Sequence, residues 1–174
     1  MAANQALDGF RLMGAGAAFK KEICEMIADT QLFADFEWKD IEALATYVQC
    51  YEVSAGTVVF QEGKAGNYMC LLVKGQVEIF KNDQDGKPHR IVVIMRGKTV
   101  GEMSIIDGEP RSATCIASQN SVLLLLTKDN YNRIIRERPG VAVHILAKLA
   151  KLMSQRLRGA SGQLVEYLGQ QEEC

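Results

Sequence analysis

The sequence predicts a mainly β protein, an all-β sandwich or barrel flanked by helices. Three observations support this: short apolar segments recur along the middle of the chain, turns with glycine separate them, and amphipathic helical patterns lie on either side. The length of 174 residues and the hydrophobic fraction of 48% suit one domain with a packed core. The predicted strands are residues 50–53, 57–60, 68–73, 76–81, 90–95, 113–118 and 122–127.

The N-terminal part of the chain divides into two predicted segments. Residues 1–19 are expected to be a flexible leader with a patch of small residues at 13–18. This segment lacks the basic start and the apolar core of a signal peptide. Residues 20–48 form a predicted helical segment. Its apolar residues recur at helical spacing; they are Ile23, Met26, Ile27, Ile41, Leu44, Ala45 and Val48.

The strands occupy residues 49–127, and predicted C-terminal helices occupy 128–160. Pro139 and Gly140 are expected to end the first of these helices. Ser161 and Gly162 are expected to interrupt the second, leaving residues 161–174 as a tail. The apolar stripe of the second helix is wider than one barrel face requires, which favours a dimer helix. Its members are Val141, Ile145, Leu146, Leu149, Leu152, Met153 and Leu157.

Charge and cysteine content exclude several classes of function. The net charge of −1 argues against wholesale binding to nucleic acid or membrane. The five cysteines form no Cys-x-x-Cys pair, so neither a disulfide framework nor a zinc site is indicated. Most are expected to be small core residues in a reducing compartment, with Cys174 exposed. No segment reaches the length of a membrane span, and we expect a cytoplasmic protein.

The stretch that carries chemistry lies at residues 97–119. Gly101 opens a one-turn helix over residues 102–107, Pro110 breaks it, and Arg111 precedes an alternating segment. Exposed N–H groups at a helix start bind anions, and a guanidinium binds a phosphate through two parallel hydrogen bonds. The carboxylate of Glu102 can accept from a sugar hydroxyl. These groups together predict a site for a phosphate next to a ribose.

Residues 101–114, Gly-Glu-Met-Ser-Ile-Ile-Asp-Gly-Glu-Pro-Arg-Ser-Ala-Thr, resemble the phosphate-binding cassette of cyclic nucleotide-binding domains. That family includes the bacterial catabolite activator protein, the regulatory subunit of protein kinase A and cyclic nucleotide-gated channels. The resemblance covers roughly residues 30–160. It implies a β-roll of jelly-roll type with N-terminal helices and a C-terminal helical lid. Gly75 matches the glycine of the family's hairpin.

The resemblance also implies roles for individual residues. Glu102 would accept from the ribose 2′-hydroxyl, and Arg111 would pair with the cyclic phosphate. Gly101 and the backbone amides of Ser112 and Ala113 would face the phosphate oxygens. Two further cassette residues, Met103 and Ser104, stand where the family more often has Leu with Ala or Gly.

The function that the resemblance implies is a sensor that binds a cyclic nucleotide, with cAMP ahead of cGMP. The C-terminal helices would close over the base, and the module would act in trans on an effector protein. A homodimer through the last helix is expected, because bacterial activators of this family pair there. Beyond the nucleotide ligand no cofactor is expected. The alternative is a protein-interaction domain that keeps the fold and binds no nucleotide; a sensor of cyclic di-GMP is a third possibility.

An enzyme and a DNA-binding protein are both disfavoured. Cupin enzymes use a similar barrel to hold a metal through several histidines, but only His89 and His144 are present, and no Ser–His or Cys–His arrangement is evident. The dozen residues after Gly162 are too few for a helix-turn-helix domain. The basic residues near the C-terminus are interpreted as a solvated face; they are Arg133, Arg136, Arg138, Lys148, Lys151, Arg156 and Arg158.

Overall fold

The structure, a computed structural model, describes residues 7–30 and 32–172. The strands are β1 (Phe10–Ala15), β2 (Val48–Val53), β3 (Val58–Phe60), β4 (Tyr68–Lys74), β5 (Gln76–Asn82), β6 (Pro88–Met95), β7 (Thr99–Val100), β8 (Thr114–Ala117) and β9 (Ser121–Thr127). The α-helices are α1 (Lys20–Ala28), α2 (Trp38–Ala45), α3 (Glu102–Ile106), α4 (Lys128–Glu137) and α5 (Pro139–Glu172), and a single 3₁₀ turn, Ala17–Phe19, precedes α1.

The strands form two antiparallel sheets, which confirms the predicted β-roll with flanking helices. The larger sheet has the order β1-β2-β9-β4-β7, and the smaller one has the order β3-β8-β5-β6. All seven predicted strands are present, with ends within two residues of the prediction. The sequence analysis missed β1 and the two-residue strand β7, which pairs with Cys70 and Leu71 of β4.

The larger sheet is the middle layer of the molecule, so its central strands are buried on both faces. Along β9, Leu124 and Leu126 pack against the helices, whereas Leu123 and Leu125 point between the two sheets. This explains why residues 121–127 are almost continuously apolar, since a strand covered on both faces does not alternate. The core is therefore divided into a helix-facing half and a sheet-facing half.

The prediction of a flexible leader over residues 1–19 is wrong for residues 10–15. These residues form β1, which pairs antiparallel with β2 from Phe10 opposite Val53 to Ala15 opposite Gln49. The small residues serve packing, because a Cβ at Gly14 would lie 2.3 Å from Cγ of Phe19. A register shift between Leu12 and Gly14 disturbs the alternation that marks a strand in the sequence. Residues 1–6 lie outside the described part of the chain.

The C-terminal helix also differs from the prediction. Pro139 does end α4, but it is itself the first residue of α5, where its missing N–H costs nothing. Ser161 and Gly162 do not interrupt α5, which continues through the predicted tail to Glu172. The Ser161 hydroxyl donates to the carbonyl of Leu157 at 2.9 Å, and a single helical glycine costs only about 1 kcal/mol. Residues 173–174, including the cysteine expected to be exposed, lie outside the described residues.

Cys24, Cys50, Cys70 and Cys115 are free and buried, which confirms their predicted place in the core. Burial raises the pKa of the Cys50 thiol to about 11 and that of Cys115 to about 12. Both thiols therefore stay protonated near neutral pH and are poor nucleophiles. Among the described residues, no helix is long and apolar enough to cross a membrane.

Substitution of Gly75, between β4 and β5, tests how closely the hairpin packs against its neighbours. Its φ is +87°, and a Cβ there would lie 2.3 Å from Oγ of Ser121 and 2.5 Å from the carbonyl of Asn120. We expect Gly75→Ala to lower the free energy of unfolding by about 2–4 kcal/mol, because strain and overpacking add. Urea denaturation measures this change.

The matched control is Gly86→Ala, in the β5–β6 turn. Gly86 has a φ of +78°, but a Cβ there would meet nothing within 4 Å. Only the backbone strain remains, so a cost of about 1 kcal/mol is expected. Equal losses in the two variants would show that the close approach at Gly75 is not a constraint.

Candidate functional site

The predicted cassette links β7 to β8 and is organised by Gly101. This glycine has a φ of +77° and a ψ of 12°, a left-handed conformation that turns the chain from β7 into α3. A Cβ there would lie 2.5 Å from Nη1 of Arg111 and 3.1 Å from Cε1 of Phe60. Both the conformation and the space therefore require glycine at this position.

Arg111 is a buried cation, only 3% exposed. Its Nη1 donates to the carbonyl of Gly101 at 2.9 Å, and its Nη2 donates to the carbonyl of Tyr68 at 2.6 Å. The guanidinium also lies 4.3 Å from the ring centroid of Phe60 and 4.7 Å from that of Tyr68. Aromatic rings and carbonyl groups thus hold the charge in place without neutralising it.

Within the described part of the chain, no carboxylate forms an ion pair with Arg111. Its Nε is buried and has no hydrogen-bond partner among residues 7–30 and 32–172. Burial lowers the pKa of the guanidinium below its ordinary value, although arginine remains protonated near neutral pH. A buried cation without a counter-charge is costly, so the arrangement favours a bound anion.

Glu102 is the complementary buried group, 2% exposed. Its Oε1 accepts a hydrogen bond from Nη1 of Arg156, and Nη2 of the same arginine donates to the carbonyl of Thr99 at 2.6 Å. The other carboxylate oxygen of Glu102, Oε2, is buried and has no hydrogen-bond partner in the part of the chain that the structure describes. One oxygen is thus fixed by the protein, and the other remains available as an acceptor.

The sequence analysis missed Arg156 and placed it on a solvated basic face. In the structure it follows Ile145, Leu149 and Leu152 on the face of α5 that packs against the rest of the domain. The predicted stripe instead continued to Leu157, whose side chain is exposed. The helical period does carry a signal for Arg156, because 145, 149, 152 and 156 follow the three- and four-residue spacing of one face. An arginine at the end of such a face is placed to reach a buried carboxylate, as Arg156 reaches Glu102.

A pocket with a volume of about 710 Å³, including its open mouth, lies between the cassette and the smaller sheet. The seven residues predicted for the site all line it: Gly101, Glu102, Met103, Ser104, Arg111, Ser112 and Ala113. Phe60, Ile79, Val92 and Ile94 supply its apolar wall, and Arg156 lies at its helical side. This size and this mixture of apolar walls with a few polar groups are typical of small-molecule sites.

The contacts of the remaining cassette residues explain their sequence. Ser104 is buried, and Gly66, in the loop before β4, lies directly against it. A Cβ at Gly66 would lie 2.4 Å from Cβ of Ser104 and 2.9 Å from Nε of Arg111. Met103 is 43% exposed, and its sulfur lies 3.7 Å from Oγ of Ser112. Gly66 thus allows the loop before β4 to approach the cassette.

The histidines lie outside this pocket. His89 pairs with Asp83 in the β5–β6 hairpin, with 2.7 Å between Nε2 and Oδ2. His144, on α5, packs against Phe36 with 4.9 Å between ring centroids. Neither histidine lines the pocket with the cassette residues. The groups that converge on the pocket are suited to binding an anion and a hydroxyl.

Two antiparallel sheets, with a pocket lined by both a buried guanidinium and a buried carboxylate, are typical of a β-roll built to bind a small molecule. Residues 50–138 match the family model described as the cyclic nucleotide-binding domain. A crystal structure of a cyclic nucleotide-binding domain from Methylobacillus flagellatus superposes with a TM-score of 0.79 and 29% identity, over 90% of this chain and 88% of that one. The chain belongs to the cyclic nucleotide-binding domain family.

Two relatives indicate the range of this family. The chain is 30% identical over 133 residues to the cyclic AMP receptor protein of Thermus thermophilus. The matched region covers 76% of this chain and 60% of that protein. It is also 30% identical over 94 residues to the cAMP-dependent protein kinase regulatory subunit of Aspergillus fumigatus. Here the matched region covers 53% of this chain and 22% of that protein. The chain thus spans about three-fifths of the receptor-type relatives and a smaller part of the kinase subunit.

Thr99 gives a test of the packing beneath the site. Its hydroxyl is fully buried without a hydrogen-bond partner among the described residues, and the other described residues that line the small cavity beside it are apolar. We expect Thr99→Val to raise the free energy of unfolding by about 1–3 kcal/mol, because it removes an unsatisfied polar group at nearly constant shape. Urea denaturation measures the change.

Thr127→Val is the matched control for this substitution. The Thr127 hydroxyl caps α4 by accepting from the backbone N–H of Asn130 at 3.1 Å. Its loss should lower stability by about 1 kcal/mol. Destabilisation by Thr99→Val would contradict the assignment of its hydroxyl as unsatisfied.

Proposed function

We propose that this chain is a regulatory module that binds a cyclic nucleotide in the cassette pocket, with cAMP ahead of cGMP, and that it is not an enzyme. The observation that carries the proposal is the pair of incomplete buried groups. Among the described residues, Arg111 has a buried charge and no carboxylate partner, and Glu102 has a buried oxygen without a donor. A ribose cyclic phosphate supplies the missing anion and the missing hydroxyl in one molecule.

The cassette residues would share the ligand as follows. Arg111 neutralises the cyclic phosphate through its remaining N–H groups. The backbone at Gly101 and the amides of Ser112 and Ala113 bond the phosphate oxygens, and Oε2 of Glu102 accepts from the ribose 2′-hydroxyl. Met103 and Ser104 complete the cassette wall.

Arg156 provides the route from the ligand to α5. It ties the helix to Glu102 and to Thr99, so the carboxylate that accepts the ribose is the one that holds the helix. A ligand that binds better when α5 is closed shifts the population toward that state, by no more than its difference in affinity. Closure of the C-terminal helices then acts in trans on an effector protein.

The preference for cAMP rests on the relatives and on residue chemistry. The receptor protein and the kinase subunit are both described by their relation to cAMP. Ser112 lines the pocket and could donate to guanine, so cGMP is the second candidate. In place of a catalytic centre, the pocket offers the cation, the carboxylate and the apolar wall of a binding site.

A homodimer through α5 completes the proposal. The predicted stripe cannot form most of its interface, because Val141, Ile145 and Leu149 are buried in the core of their own domain. Apolar side chains follow a heptad spacing along one side of the helix and are mostly exposed. We call this set the apolar seam; it comprises Val143, Leu146, Ala150, Met153, Leu157, Ala160, Leu164 and Tyr167. A second copy presenting the same seam would bury these side chains in a two-helix coiled coil.

Thermal unfolding with cAMP and with cGMP tests the binding proposal. A ligand at 100 times its dissociation constant adds about 2.7 kcal/mol of stability. We expect an upward shift of the melting temperature with cAMP, a smaller one with cGMP, and none with either nucleotide in Arg111→Ala. Arg111→Lys should retain only part of the shift, because lysine lacks the bidentate fork.

The control variant is Arg136→Ala, which removes an exposed arginine of α4 and should keep the full shift. The protein is first refolded from denaturant so that no nucleotide is carried over. A melting temperature that neither nucleotide changes would reject the sensor and favour the alternative, an interaction domain that binds no nucleotide.

The dimer is tested by sedimentation of Leu157→Glu. Leu157 is 69% exposed at the centre of the apolar seam, and a glutamate there would repel its counterpart across the coiled coil. We expect a monomer, whereas the wild-type chain should sediment as a dimer. Arg158→Glu changes the neighbouring residue off the seam and should remain dimeric; a monomeric wild-type chain would contradict the dimer.

A further inference from the structure

A second open groove lies on another side of α5, between this helix and the turn that leads into β7. It has a volume of about 620 Å³ including its mouth. Its walls carry Lys98 from the turn and Lys148 and Lys151 from α5, and its apolar surface comes from Leu32 and Leu152. We call it the lysine groove.

The charge of the lysine groove is largely uncompensated. Lys148 pairs with Asp35, but Lys98 and Lys151 are exposed and form no ion pair within the described residues. No carboxylate is among the described residues that line the groove. In a chain with a net charge of −1, such a concentration of ammonium groups creates a local positive potential.

The groove stays open when the proposed dimer forms. At about 100° per residue, Lys148, Lys151 and Gln155 lie roughly 150° around α5 from the apolar seam. Two copies paired through the seam would therefore each present a lysine groove on the outer side of the dimer.

The groove is also mechanically joined to the cassette. One wall is the turn at Gly97–Lys98, and the other is the part of α5 at Lys151–Gln155. The residues that follow these two segments, Thr99 and Arg156, bond to each other and so hold the walls together. There Arg156 donates to the carbonyl of Thr99, and its other nitrogen bonds Glu102. Any change in the bond to Glu102 alters how α5 is held against β7, and therefore the width of the groove.

From this arrangement we propose that the lysine groove receives an acidic segment of a partner protein, and that the Arg156 contact controls its affinity. Ammonium groups on two walls attract flanking carboxylates, and Leu32 and Leu152 accept an apolar side chain between them. The dependence on Arg156 stands on the geometry alone. The dependence on bound nucleotide rests on the proposed function.

Fluorescence anisotropy tests the groove with a fluorescein-labelled peptide in which glutamates flank a single leucine. The double variant Lys98→Glu, Lys151→Glu should weaken binding by about tenfold or more, because attraction becomes repulsion. The matched control, Lys21→Glu with Lys87→Glu, makes the same charge change at exposed lysines elsewhere and should bind within about twofold of wild type. A peptide with glutamine in place of glutamate should not bind.

The role of the Arg156 contact is tested with Arg156→Ala. This variant should weaken peptide binding by about threefold or more, because the groove loses its fixed width. The control variant Arg158→Ala also removes one positive charge from α5 but leaves the contacts of Arg156 with Glu102 and Thr99 in place. It should leave the peptide affinity unchanged. Saturating cAMP should change the peptide affinity of the wild type but not that of Arg156→Ala.

Three outcomes would overturn the proposal. They are equal binding by the two double variants, equal effects of Arg156→Ala and Arg158→Ala, and tighter binding of a single-stranded DNA oligonucleotide than of the glutamate peptide. Calorimetry of cAMP binding separates the two hypotheses. If cAMP does not bind, the proposed function fails while the lysine variants still decide the groove; if cAMP binds without changing peptide affinity, the coupling fails.

Discussion

The structure depends on holding one charged guanidinium, that of Arg111, in a position where its side chain is only 3% exposed. Arg111 is fixed by the carbonyls of Gly101 and Tyr68 and by the rings of Phe60 and Tyr68. Each of these partners orients the charge, and none cancels it. The cost of burying an unpaired cation is borne by the packed β-roll around it, and a bound anion, as proposed, would relieve it. The positive φ of Gly101 and the close approach of Gly66 follow from this constraint, because any Cβ there would meet the arginine.

The part of this arrangement that the sequence predicts is the part encoded locally. The cassette spans residues 101–114, so its glycine, carboxylate and arginine are read from one stretch of chain. The seven predicted strands are bounded by turns whose glycines and aspartates act within a few residues. Even β9, which does not alternate, was recognised, because a short apolar run between turn residues indicates a strand covered on both faces.

The parts that the sequence analysis missed depend on partners far along the chain. β1 has a register shift and small residues, and its strand character comes from pairing with β2 about forty residues later. Arg156 meets Glu102 across 54 positions, and only its place at the end of an apolar helix face marks it. The continuity of α5 through Ser161 and Gly162 was missed for the opposite reason. Local propensity disfavours helix there, but the cost is small compared with a helix of 34 residues.

The function proposed for α5 depends on the different surroundings of its three faces. One face, through Leu149, Leu152 and Arg156, is packed onto the domain and ends at the carboxylate of the pocket. A second face carries the apolar seam, and a third carries the lysines. Because a helix is stiff, a small change at Arg156 moves the other two faces with it. A rigid helix that is bonded near its middle to Glu102 would therefore convert nucleotide binding, as proposed, into a change at surfaces that touch no ligand, provided that the ligand binds the two helix positions unequally.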